Sequence, residues 1–164
     1  KRITFVHTTV VCTNMNIEKV IKSNQALGLE TKTVINLMYT SRIIEESVLQ
    51  VIKEHDISTQ QYNVLRILRG QKGVAANLST VQERMIDKSS NTTRLIDKLI
   101  TKELVNRQVC KNNRRKIELF ITSQGLVLLA SLDPITETNN KQQLQKLSEN
   151  ELQTLNTLLD KLRD

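Results

Sequence analysis

Ser90-Asn91-Thr92-Thr93-Arg94-Leu95-Ile96-Asp97-Lys98-Leu99-Ile100 is followed, after Glu103, by Leu104-Val105-Asn106-Arg107-Gln108-Val109 and by Lys116-Ile117-Glu118-Leu119-Phe120-Ile121. The first run places its apolar residues at 95, 96, 99 and 100, which is one face of a helix. The two later runs alternate with a period of 2 and read as strands. Between them, Lys111-Asn112-Asn113-Arg114-Arg115 is polar and predicts a hairpin with a strongly cationic tip. Ser89 or Ser90 is the expected cap of the helix.

Working back towards the N-terminus, Thr80 with Glu83 suggests a capping box opening a short helix through Met85-Ile86. Ser58-Thr59-Gln60-Gln61 offers an N-cap to a helix with Tyr62, Val64, Leu65, Ile67 and Leu68 as its buried stripe and Gly70 as its stop. Apolar residues from Thr31 to Asp56 recur at helical spacing with no Gly or Pro between them, predicting one long helix of some seven turns. Residues 1–14 are rich in β-branched types. Lys1-Arg2 and the apolar stretch ending at Cys12 fail as an export signal on length, on the polar His7-Thr8-Thr9 and on Val11. They are expected to be a flexible or non-native extension, or at most a stray strand.

Towards the C-terminus, Thr122 or Ser123 is expected to cap a helix from Leu126 to Leu132 that Pro134 ends or kinks. Ser148 with Glu151 predicts a second capping box, opening a last helix that carries Leu152, Leu155, Leu158, Leu159 and Leu162 on one side. That leucine face needs a partner, either within the chain or on a second copy.

Only four aromatic residues, four Gly and one Pro in 164 residues argue against sandwiches and barrels and for helices. No segment approaches the ~20 uncharged apolar residues of a membrane-spanning helix, so no membrane partner is expected. Two cysteines fit a reducing compartment, and a soluble cytoplasmic protein is the expectation. The net charge of +7 is unevenly spread: residues 58–125 hold 13 Lys/Arg and 5 Asp/Glu, while the flanks are nearly neutral. A localised basic excess favours a polyanionic partner, and nucleic acid is the commonest.

Helix, short helix, capped helix and basic-tipped hairpin is the order of a winged helix-turn-helix. In that arrangement the capped helix enters the major groove of double-stranded DNA by its N-terminal residues. Those residues are Ser90, Asn91, Thr92, Thr93 and Arg94, all able to hydrogen bond. Asn91 suits an adenine, and Arg94 a guanine or a phosphate. Lys98 and Lys102 lie further along the outward face and suit phosphates, and Asp97 is expected to pair locally. On the wing, Lys111, Asn113, Arg114 and Arg115 are candidates for DNA contact, the arginines by entering the minor groove.

The run from Ser90 to Leu99, Leu104-Val105-Asn106-Arg107 at its distance, and Asn113-Arg114-Arg115 through Leu119, Ile121-Thr122 and Gly125 together resemble the recognition helix and wing of MarR-type (multiple antibiotic resistance) regulators. Leu147-Ser148-Glu149-Asn150-Glu151 and the leucine-rich helix after it resemble that family's last helix. The resemblance implies a homodimer built from the first and last helices, reading a near-palindromic operator. It further implies a transcriptional repressor released by oxidation or by a small ligand, aromatic or lipophilic in character. Arg115 matches the wing arginine. Two positions depart from the pattern: Asn113 stands where Asp is usual, and Glu103 where a helix-ending Gly is common.

On this reading the fold is mainly α, a winged helix-turn-helix with a two-stranded wing flanked by dimerisation helices. Residues 1–14 form the extension, 15–57 the N-terminal dimerisation region, 58–125 the DNA-binding domain and 126–164 the C-terminal dimerisation helices. A ligand pocket is expected where the long helix meets the DNA-binding lobe, with Tyr39, Arg42 and Tyr62 as lining residues, or the two tyrosines as plain core with a hydroxyl at the surface. Enzymatic activity is not expected. His55-Asp56 has no nucleophile set beside it, and Glu45-Glu46 point about 100° apart on a helix. Neither a metal site nor a cofactor is expected. Gly70-Gln71-Lys72-Gly73 matches the loop of KH domains but is better read as a helix stop. Cys12 and Cys110 raise a redox-sensing alternative, for which an inert half-buried thiol at Cys110 is the plainer reading. A helical dimer acting through a protein partner, without operator recognition, is the other alternative.

Overall fold

The computed structural model describes residues 16–110 and 113–164, with the backbone alone at 114 and 115. The extension at 1–14, with His7 and Cys12, and the wing residue Lys111 lie outside the described residues. The chain divides into two units, one ending at Ile43 and the other running from Ile44 to Asp164.

In the first unit, α1 (Ile17–Val20) is a single turn capped by Asn16, whose side chain accepts from the Lys19 N–H. Glu18 accepts from the Leu27 N–H at 2.9 Å and pairs with Lys32 at 3.0 Å. These bonds, the backbone one first, hold its carboxyl below the usual carboxylate range. The long helix α2 (Leu29–Ile52) begins here and continues into the second unit. It begins two residues before the expected Thr31 and gives way at Lys53–His55 to a 3₁₀ turn, which Asp56 closes in a left-handed conformation, φ 54°. Without Gly or Pro, and with apolar residues at helical spacing, nothing interrupts its 24 residues.

The second unit holds the core: Ile52, Ile57, Val64, Leu65, Leu68, Val81, Met85, Ile96, Leu99, Leu119, Leu129 and Leu132 are among its buried residues. Each aliphatic side chain so buried stabilises the fold by about 1.5–3 kcal/mol before entropy is counted. The helix α3 (Thr59–Gly70) opens on a complete capping box. Ser58 Oγ accepts from the Gln61 N–H, and Gln61 Oε1 accepts from the Ser58 N–H. The Gly70–Gly73 loop is a helix stop: the Gln71 and Lys72 N–H groups bond back to Leu68 and Arg69, and Lys72 and Gly73 take positive φ.

The next helix, α4 (Leu78–Arg84), begins earlier than its sequence signals suggest. Asn77 is the N-cap, and its Oδ1 accepts from the Thr80 N–H at 2.8 Å as well as from the Ser79 and Thr80 hydroxyls. Thr80 therefore sits inside the first turn, and no Thr80–Glu83 box forms. Met85 leaves the helix with extended backbone and packs into the core. Next comes α5 (Thr92–Thr101), followed by the antiparallel pair β1 (Val105–Cys110) and β2 (Asn113–Ile121). Val105 faces Ile121, Arg107 faces Leu119 and Val109 faces Ile117. Ala76 exchanges two backbone hydrogen bonds with Leu119, so the segment before α4 pins the base of the hairpin.

Pro134 does not end the following helix. α6 runs from Ser123 to Leu144 with Pro134 inside it, capped by Thr122 on the Gly125 N–H. An internal proline forfeits one backbone bond and costs about 3 kcal/mol. Fully buried Leu129 and Leu132, the Tyr62–Thr136 hydroxyl contact and a two-bond Arg69–Asp133 pair hold the helix on both sides of it. The last helix, α7 (Glu149–Lys161), has the expected Ser148–Glu151 capping box. Its leucines are not covered within the chain: Leu155, Leu158 and Leu162 are exposed, and Leu152 and Leu159 only half-buried. Among the described residues no helix is long and apolar enough to cross a membrane. The fold is mainly α with a two-stranded sheet, a winged helix-turn-helix.

Candidate nucleic-acid interface

The ends of α5 determine what the helix can present. Its N-cap is Asn91, one residue beyond the expected Ser90, and Asn91 Oδ1 accepts from the Arg94 N–H at 3.0 Å. Leu95, Ile96, Leu99 and Ile100 lie against the domain. Thr92 is only 4% exposed, so it faces inward with this apolar side. The outward face keeps Asn91, Thr93, Arg94 and Lys98, all exposed. At the other end the Leu104 N–H bonds to Leu99 and the Glu103 N–H to Ile100, with Glu103 left-handed at φ 58°. This is the turn a glycine ordinarily makes, achieved here by a glutamate.

Ser89 and Ser90, the caps expected from sequence, instead serve the turn before the helix. Asp87 accepts from the Ser89 N–H at 2.9 Å and hydroxyl at 2.6 Å, and from the Ser90 hydroxyl at 2.8 Å. These bonds, those from the serine hydroxyls foremost, hold the Asp87 carboxyl below the usual carboxylate range. Ser90 is half-buried, and its hydroxyl proton is committed within the chain. Asp87 was not singled out from sequence. Its signal is an aspartate two and three residues before serines, the pattern of an Asx turn.

The cations divide by whether a carboxylate already holds them. Lys102 is bound to the carboxylate and the carbonyl of Asp56, which ties the end of α5 to the turn before α3. That contact also lowers the Asp56 carboxyl from its ordinary value. Asp97 pairs with Arg107 of β1, the local partner expected for it, and so ties α5 to the wing.

The wing differs from expectation in where its arginines stand. β2 begins at Asn113, three residues before Lys116, so residues 113–115 belong to the strand and not to the turn. Cys110 faces Asn113 while Val109 faces Ile117. One step on β1 therefore answers four on β2, and residues 114–116 form a bulge without partners across the pair. Asn113 is exposed, and Cys110 is half-buried and in no disulfide. Of the two readings of Tyr62, pocket lining or core, the second holds: it is 7% exposed, with its ring beneath Arg66 at 5.7 Å. Tyr39 is exposed on α2, and His55 is half-buried beside Asp56.

Comparison with known proteins gives the same answer from independent positions. The MarR family model matches residues 57–117, which contain α3, α4, α5 and most of the wing. The HTH-type transcriptional regulator MhqR of Bacillus subtilis is 27% identical over 131 residues, covering 80% of this chain and 89% of MhqR. Among solved structures, a MarR transcription factor from Planctomyces limnophilus is 30% identical, with a TM-score of 0.62 over 83% of this chain and 98% of its own. The Bordetella bronchiseptica BpsR structure, concerned with regulation of DNA binding by 6-hydroxynicotinic acid, has a TM-score of 0.74 at 22% identity, over 85% of this chain and 99% of its own. A capped polar helix, a pinned basic wing and relatives spanning nearly their whole lengths converge on one statement: the chain belongs to the MarR family of transcriptional regulators.

Proposed function

We propose that this regulator binds double-stranded DNA sequence-specifically, as a homodimer in the cytoplasm, and represses transcription until a small ligand releases it. The observation that carries the reading is the outward row Asn91, Thr93, Arg94 and Lys98 on a helix whose opposite side is locked into the core. Such a helix offers its first turn to base edges and its later cation to phosphate. Ser90 lies at the same end but contributes by shaping the turn. Lys111, Asn113, Arg114 and Arg115 form the wing's share, with Arg115 in the minor groove. Residues 58–125 read DNA, while 15–57 and 126–164 supply the association surface, for which the uncovered leucines of α7 are the support. A small aromatic effector is suggested by the 6-hydroxynicotinic acid response of BpsR. No catalysis is part of this reading.

The test uses fluorescence anisotropy on a duplex from upstream of the protein's own gene and on an unrelated duplex, across a salt series. Preference for the upstream duplex that survives physiological salt supports a self-regulating repressor. Equal, steeply salt-sensitive binding to both leaves only the basic patch at work. Asn91 needs a variant that separates its two tasks. Asn91→Ser keeps an N-cap within a few tenths of a kcal/mol but cannot pair two-pronged with adenine. It is expected to keep the thermal midpoint and to lose about 1–3 kcal/mol of base discrimination. Arg115→Ala is expected to weaken binding while leaving helix content and oligomeric state as they are; unchanged affinity counts against the wing.

A further inference from the structure

Six residues, Met85-Ile86-Asp87-Lys88-Ser89-Ser90, join α4 to the cap of α5. They are tied to α3 and to themselves through a small set of side chains. Asn63 Oδ1 on α3 accepts from the Ile86 N–H at 2.9 Å. The side chain of Gln60, also on α3, is near enough to Asp87 to help hold its carboxyl below the usual carboxylate range. Asp87 in turn gathers the Ser89 N–H and hydroxyl on Oδ1 and the Ser90 hydroxyl on Oδ2. Met85, 2% exposed, anchors the start of the segment in the core, and Thr92 anchors its end.

Asp87 is the only acidic residue between Glu83 and Asp97. A carboxylate so close to the end of the helix that enters the groove repels phosphate and lowers sequence-independent affinity. Both serine hydroxyls spend their protons on it and so do not offer them to the DNA backbone. What this arrangement gives in return is a turn braced by three hydrogen bonds to one carboxylate. Base-edge hydrogen bonds need their donors placed within a fraction of an ångström, whereas phosphate attraction tolerates misplacement.

On the DNA-binding reading above, we propose that Asp87 is a positioning residue for base selection. It fixes the turn so that Asn91, Thr93 and Arg94 meet the groove in one orientation, and it exchanges general affinity for discrimination.

The experiment first selects a preferred duplex from a random-sequence pool with the full-length wild-type chain. Anisotropy then compares that duplex with a shuffled one at fixed salt for wild type, Asp87→Ala and Asp87→Asn. Asp87→Ala is expected to lower the preference by about tenfold. Its affinity for the shuffled duplex stays the same or rises, because a negative charge has gone. Asp87→Asn retains an oxygen that accepts from Ser89 and recovers part of the preference. Hydrogen exchange should show faster amides at residues 88–94 in Asp87→Ala with the remaining helices unchanged. Undiminished preference in Asp87→Ala overturns the proposal. A parallel loss on both duplexes, accompanied by a lower thermal midpoint, also overturns it by reducing Asp87 to a folding role. If wild type itself selects no duplex, the proposed function falls and this inference with it, an outcome distinguishable from the other two before any variant is made.

Discussion

Glu103 holds a left-handed backbone at the end of α5, φ 58°, where a residue with a Cβ costs about 1–2 kcal/mol. Its side chain is exposed, and the bonds that need the turn come from the backbone of Glu103 and Leu104. Glu103→Gly is therefore expected to stabilise the fold by about 0.5–1 kcal/mol, after the greater freedom glycine brings to the unfolded chain. Gly125 is the opposite case. A Cβ there would stand 2.5 Å from the Leu104 carbonyl oxygen and 2.7 Å from Ile121 Cγ1, so α6 can lie on the base of the wing only at a glycine. Gly125→Ala should destabilise by about 1–3 kcal/mol, the usual cost of overpacking. One set of urea titrations reads both, the midpoint moving up for the first variant and down for the second. Both residues were visible in the sequence, Gly125 as part of a signature and Glu103 as a departure from one. What the sequence did not reveal is that the departure leaves the turn intact, because neighbouring backbone bonds decide the conformation.

At the scale of elements, the Arg69–Asp133 pair joins α3 to α6 one residue before Pro134, with bonds of 2.6 and 3.1 Å. The guanidinium's hydrogen bonds, foremost among its effects, hold the Asp133 carboxyl below its ordinary value. A carboxyl whose folded pKa is depressed contributes stability above its unfolded pKa, near 4, and loses it as pH falls through the folded value. Urea midpoints of wild type should fall between about pH 5 and pH 3, and Asp133→Asn should start lower and fall less steeply. Glu18, Asp56, Asp87, Glu137 and Glu151 are depressed as well and carry the slope that remains. A slope unchanged in Asp133→Asn would remove this pair from the account. The same contacts explain what was legible. Helices with complete capping boxes, at Ser58 and Ser148, and strands with clean alternation were readable because their signals are local. The length of α6 was not, since Pro134 argues for an end and only tertiary contacts outweigh it. The start of α4 is not legible either, because Asn77, Ser79 and Thr80 all offer capping chemistry and the sequence alone does not rank them. In the candidate interface, Asn91, Thr93, Arg94 and Lys98 were legible as a polar row. Thr92 and Lys102 were not, because burial and an ion pair with residue 56 are invisible to spacing.

For the whole molecule, the uneven charge and the uncovered leucines make a joint prediction. Residues 58–125 carry the entire basic excess, so each copy of the chain brings one cationic segment. On α7 and at its C-cap, Leu155, Leu158 and Leu162 are 39%, 59% and 67% exposed, on a helix whose first turn is firmly capped. A surface of that kind stays in water only at the cost of its apolar area, about 25 cal/mol per Å², and a second copy offers a matching one. If association is what places two reading surfaces on one duplex, the salt dependence of DNA binding counts phosphates for both, with a slope near −0.9 for each phosphate neutralised. Leu158→Glu puts a charge in the middle of that face. It is expected to shift sedimentation from dimer to monomer at micromolar concentration while helix content by circular dichroism holds. Binding to a selected duplex should then weaken by at least about a hundredfold, and the slope of log affinity against log salt should fall to about half, because one wing and one recognition helix remain engaged. A monomeric variant with the full salt slope would mean that one copy already makes every phosphate contact. The leucine face would then have to serve something other than operator recognition.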